Sequence, residues 1–173
     1  MSQTNSAQGN DINLVEIWLR RDPVRWVAGI CAGILAGAIA LAFGVVLSSL
    51  FGADPCYVAR IPAIPFLGPE ALEYANIKAV WVGVIVFELF GAFLGMIYAH
   101  FTGTNSIPAL FGVGVTWGIF GWIFISNLYT PAWRIVFAAQ IPSGAAIFFW
   151  LVFGISLTSV AFFDRTLRGS GNK

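Results

Sequence analysis

The feature that most constrains this chain is its first apolar run. From Trp26 to Leu50 there are 25 residues without a charge. A helix needs about 20 such residues to cross the roughly 30 Å hydrocarbon core of a bilayer. A secretory signal has an apolar core of only about 7–15 residues, so this run is too long for one and is expected to stay as an uncleaved transmembrane helix. Asp22-Pro23 in front of it is a helix start, with Asp as the N-cap and Pro at the first helical position.

Composition extends this to the whole chain. Of its 173 residues, 58% are hydrophobic and only 10% are charged, with a mean hydropathy of +0.83. Soluble domains are about 45–50% apolar and about 25% charged. A water-exposed surface needs charge that this chain lacks, so its natural solvent is lipid. The net charge of +1 gives no concentrated basic face, which argues against nucleic-acid binding.

The remaining apolar runs and the prolines set the predicted layout. Residues 1–10 read as a polar, disordered tail, and residues 11–21 (DINLVEIWLRR) as an interfacial amphipathic helix. Residues 22–168 form a single transmembrane domain, with helices predicted at about 24–50, 69–101, 108–128 and 142–163, followed by a polar tail at 169–173. The loop at 51–78 carries Pro55, Pro62, Pro65 and Pro69, which argue against regular helix through most of it. Pro69-Glu70 reads as the start of a long second helix, whose first turns, with Glu70, Glu73 and Lys78, protrude beyond the membrane. Residues 132–141, with Arg134, are too short to span and read as an interfacial segment. Asp164, Arg165, Arg168 and Lys173 are expected to finish the chain in water.

The expected fold is thus an all-α integral membrane protein, a four-transmembrane-helix bundle with short interfacial helices. Arg20, Arg21, Arg25, Arg165, Arg168 and Lys173 fall on one side of an even helix count, against Arg60, Lys78 and Arg134 on the other. The positive-inside rule then makes both termini cytoplasmic, in a plasma (bacterial inner) membrane. Cys31 and Cys56 lie at different depths, so no internal disulfide is expected.

Small residues recur at helical spacing: Gly29, Gly33 and Gly37, then Gly91 and Gly95, then Gly114 and Gly118. Apolar side chains gain little by leaving lipid for one another. Helices in a membrane therefore associate by close backbone approach, and these stripes are read as packing faces. Glu88 is the sole ionisable residue deep inside a predicted span. A charge there costs about 2.5–3.5 kcal/mol, so the carboxyl is expected to be protonated and to donate to a neighbouring helix. Thr116 and Trp117 lie at a similar predicted depth on the third helix. The sharper alternative for Glu88 is proton or cation handling.

His100, the single histidine, falls at the end of the second helix. Its plain reading is an interfacial residue bonded to polar groups such as Asp164, and its sharper one is ligation of a pigment or haem. Met96 sits on the same helix face and so cannot lie across a haem ring from His100. No cofactor is otherwise predicted. There is no zinc-spaced Cys/His set, no phosphate-cradling loop and no Ser–His–acid arrangement, so no enzymatic or metal chemistry is expected. The expected partners are the lipid bilayer and other membrane subunits or further copies of the chain. The expected role is a non-catalytic subunit or assembly factor of a larger membrane complex. The alternative is a small proton or solute transporter using Glu88.

Overall fold

The computed structural model describes residues 21–125 and 143–170. The expectations for residues 1–10, most of 11–21, 132–141 and the last three residues lie outside them. The described residues are mostly helical, with short turns between the helices and no strand. Four helices are long and apolar enough to cross a membrane: Pro23–Leu50, Ile77–Thr102, Ile107–Phe124 and Gly144–Gly169.

In chain order the α-helices are α1 Pro23–Leu50, α2 Tyr57–Arg60, α3 Ile64–Leu67, α4 Ile77–Thr102, α5 Ile107–Phe124, α6 Ser143–Ser156 and α7 Val160–Ser170. Short 3-10 turns at Ile61–Ala63, Pro69–Leu72 and Leu157–Ser159 link neighbouring pieces. The last of these joins α6 and α7 into one continuous rod.

Helix α1 is the axis of the bundle. It packs along α4 on one side and along α6 and α7 on another, while α5 packs mainly along α6. The face of α1 that makes these contacts is built from alanine and glycine. Ala28, Ala32, Ala36 and Ala40 are fully buried, beside Gly29, Gly33 and Gly37. A larger aromatic cluster of Phe87, Phe149, Trp150 and Phe153 fills the space between α4 and α6 in tilted and edge-to-face pairs. The Asp22 carboxylate touches Arg168 at 2.5 Å, so the start of α1 and the end of α7 lie at the same end of the bundle.

Three boundaries differ from the sequence reading. The second long helix starts at Ile77 rather than near residue 69. Pro69–Leu72 is only a 3-10 turn, Glu73 is extended, and Ala75 takes a left-handed φ of 64°. Asn76 then restarts the helix as its N-cap, its side chain accepting from the Ala79 amide at 3.1 Å. The long protruding rod is therefore absent. Next, the loop after α1 is more helical than its prolines suggested. Pro62, Pro65 and Pro69 each occupy a first-turn position, where a missing N–H costs nothing. Finally, the last helix continues to Ser170, which places Asp164 inside it at 1% exposure rather than in water.

Candidate functional site

The glycine stripes lie where helices approach most closely. A methyl group at Gly33 would sit 2.7 Å from the Gly91 carbonyl carbon and 3.0 Å from the Ala92 Cα. One at Gly29 would meet the Gly95 carbonyl oxygen at 2.5 Å. Gly114 and Gly118 play the same part between α5 and α6: added methyls would lie 2.5 Å from the Gly154 oxygen and 2.6 Å from the Trp150 oxygen. These contacts are with backbone, which cannot move aside as a flexible side chain can. The α1–α4 and α5–α6 pairs thus depend on missing side chains for their separation.

Gly37 makes room for something different. Glu88, half-buried, lays its carboxyl into the notch that Gly37 leaves, with Oε2 placed 2.8 Å from where a methyl would stand. That oxygen is buried and has no hydrogen-bond partner. Glu88 therefore faces α1 rather than α5. Thr116 is exposed and donates to the Gly112 carbonyl of its own helix at 3.1 Å. Trp117 instead pairs its ring with Tyr98 and Phe120.

His100 also faces α1. The Trp26 indole N–H donates to its Nδ1 at 3.2 Å, and the two rings meet edge-on at 5.9 Å. Asp164 is engaged elsewhere, so it is not the partner that the sequence suggested. The indole contact bears on ligation. With Nδ1 accepting, a neutral imidazole carries its proton on Nε2, which then has no lone pair to offer a metal. Ligating histidines show the reverse arrangement, donating through the nitrogen that is not bound to metal. Among the described residues no group of three His, Cys, Asp or Glu side chains could hold a metal ion.

The densest polar cluster was not singled out from sequence. Arg25, in the first turn of α1, is 7% exposed, and each of its three guanidinium nitrogens is engaged inside the protein. Its Nε donates to the Ala99 carbonyl at 2.9 Å. One terminal nitrogen reaches Asn105 Oδ1 at 2.8 Å and lies 3.6 Å from Asp164 Oδ2. The other donates to the Thr102 hydroxyl at 3.1 Å and the Thr104 carbonyl at 2.6 Å. Two of these acceptors are backbone carbonyls at the end of α4 and in the turn after it, groups that a helix C-terminus leaves open. One guanidinium thus joins α1, the end of α4, the 103–106 turn and α7.

Asp164 completes the cluster. Asn105 donates to it at 2.7 Å, and Arg168, one turn further along α7, donates through Nε at 3.1 Å to each carboxylate oxygen. Arg168 also reaches across to Asp22. Burial alone would raise the Asp22 carboxyl pKa. The Arg168 hydrogen bond, the Arg25 amide and the Arg168 charge outweigh it and hold the carboxyl below its ordinary value of 3.8. Nearby, the buried Tyr98 hydroxyl donates to the Leu110 carbonyl at 2.6 Å and ties α4 to α5.

A second buried arginine organises the opposite end. Arg60, 1% exposed, donates to the Asp54 carboxylate and to the Glu73 carbonyl. The second contact uses a carbonyl that a continuous helix from Pro69 would have kept for itself.

Helices α4 and α5 touch little along their length. Between them lies a cleft of about 250 Å³, lined by Phe90, Phe93, Leu94, Trp117, Phe120 and Trp150 among other apolar side chains. Comparison with family models, curated proteins and solved structures finds no match to this chain.

Proposed function

We propose that this protein is a non-catalytic subunit or assembly factor of a larger membrane complex, set in a plasma (bacterial inner) membrane with both termini cytoplasmic. The observation that carries this reading is the α4–α5 cleft and the helix beside it. Helix α5 packs chiefly on α6, leaving Phe111, Ile119, Phe120, Ile123 and Phe124 outward. A transmembrane helix of a partner subunit, apolar like the cleft, is the occupant this reading assigns to that face. The polar groups described above support the same reading, because the buried arginines are engaged in joining the helices of the bundle and its turns to one another. The test is purification from native membranes in mild detergent, with mass analysis of what co-migrates. The reading expects a defined larger particle of fixed composition. A monodisperse single protein would overturn it.

A second reading has its own observation, the partnerless Oε2 of Glu88. A carboxyl of that kind inside a span suits proton or cation handling. Proton flux through reconstituted protein tests it. Flux above background that Glu88→Gln abolishes would favour transport, and background flux in both proteins would end that reading.

A further inference from the structure

The two ends of the bundle present different charge to their surroundings, and counting residues does not reveal it. At the end shared by Asp22 and Arg168, the described residues include four arginines, Arg21, Arg25, Arg165 and Arg168, against two acids, Asp22 and Asp164. Both acids are consumed internally. Asp164 takes Arg168, Asn105 and Arg25 on its two oxygens. Asp22 takes the Arg25 amide at 3.2 Å on one oxygen and Arg168 at 2.5 Å on the other. Their side chains are only 2% and 17% exposed. Arg25 is buried with them.

Among the described residues, the charged side chains that stay well exposed at this end are arginines. Arg21 and Arg165 are exposed, and the Arg168 side chain is 47% exposed. Arg165 lies beside the 103–106 turn, with one guanidinium nitrogen 3.4 Å from the Asn105 carbonyl. At the opposite end, Glu70 and Glu73 are exposed alongside Lys78, while Arg60 is buried. The arginine rim stands where the apolar part of α1 begins, at Trp26. In a chain that crosses a bilayer, that is the level of the lipid phosphates.

We propose that the rim formed by Arg21 and Arg165, beside the carboxylate-paired Arg168, is a binding surface for the headgroup phosphate of an anionic phospholipid. The guanidinium group suits this partner, because it offers paired N–H donors to phosphate oxygens and stays charged at any physiological pH. Among the described residues, the pairing of Asp22 and Asp164 leaves no fully exposed carboxylate at the rim to repel the headgroup. The surface is independent of any partner subunit, so it stands or falls separately from the proposed function.

The test is reconstitution of the full chain into bilayers of phosphatidylcholine mixed with phosphatidylglycerol. Gentle extraction and quantification of the lipid retained on the protein follow. The wild-type protein is expected to retain phosphatidylglycerol in excess of its share of the bilayer. Arg21→Gln and Arg165→Gln should each lower that excess about five-fold, and raised salt should lower it further. Thermal unfolding in a neutral detergent keeps the variants interpretable, since both side chains are exposed and the variants should melt like wild type. Retention in proportion to bilayer composition would overturn the proposal, as would variants that keep the full excess. Displacement of the lipid by an equal concentration of inorganic phosphate would overturn it too, by showing that the surface takes free phosphate. An acidic protein that occupies the rim in place of lipid would be the remaining contrary result.

Discussion

Arg25→Ala is the perturbation that most sharply separates this fold from a bundle held by apolar packing alone. The substitution removes four hydrogen bonds, to Ala99, Asn105, Thr102 and Thr104, and the contact with Asp164. A hydrogen bond to a charged group contributes about 1.5–3 kcal/mol, but these four share one side chain and are not additive. Breaking a buried ion pair from one side typically costs about 3–5 kcal/mol. Asp164 would keep Arg168 and Asn105, whereas the Thr104 carbonyl would lose its donor and the Ala99 carbonyl would keep only the Thr102 hydroxyl at 3.4 Å. A loss of about 3–4 kcal/mol is therefore expected. Arg25→Lys should recover less than half of it, because a single ammonium cannot reach acceptors spread around a planar fork. The assay is equilibrium unfolding in a neutral detergent, followed by the fluorescence of the chain's 7 tryptophans, with the exposed Lys78→Ala as a control. A loss below about 1 kcal/mol for Arg25→Ala, or a lysine variant as stable as wild type, would refute the reasoning.

Two further outcomes follow from the same geometry. Gly33→Val should separate α1 from α4 and lower stability by several kcal/mol, about what overpacking against rigid backbone costs, whereas Gly112→Ala, with nothing within 4 Å of the added methyl, should be neutral or slightly stabilising in the same unfolding assay. Asp22 has a folded pKa below its ordinary 3.8, so its contribution is present above that value and is lost as pH falls through the lower folded one. Asp22→Asn should accordingly be less stable than wild type at neutral pH and converge with it in strong acid, and a constant difference across that pH range would contradict the assignment.

The long elements were legible because their signals are local. A charge-free run of 25 residues, an Asp-Pro start and glycines at every fourth position each report on one helix. Gly29, Gly33, Gly91 and Gly95 could be placed on packing faces without knowing which helices would meet. What could not be read was how residues distant in sequence converge. Arg25 and Asp164 each looked like a flanking charge, since nothing local shows that residues 139 positions apart will share a buried contact at 3.6 Å. A signal was present, though. Arg25 directly precedes an apolar run and Asp164 directly follows one that ends at Phe163, so both stand at the edge of a span and not in open solvent. The second helix was misjudged for another reason. Pro69-Glu70 is a sound start signal, but Asn76 is a competing cap seven residues on, and Arg60 from the preceding turn takes the Glu73 carbonyl. The choice between two local starts was made by a tertiary contact.

The most direct test of the account is site-specific photo-crosslinking in native membranes. A photoreactive residue would replace Phe120, which lines the α4–α5 cleft, and in a separate variant Phe162, which is 66% exposed on α7. The account predicts a discrete protein adduct of fixed mass from the Phe120 position and only lipid adducts from Phe162. Lipid adducts alone from Phe120, or the same mixture from both positions, would contradict it.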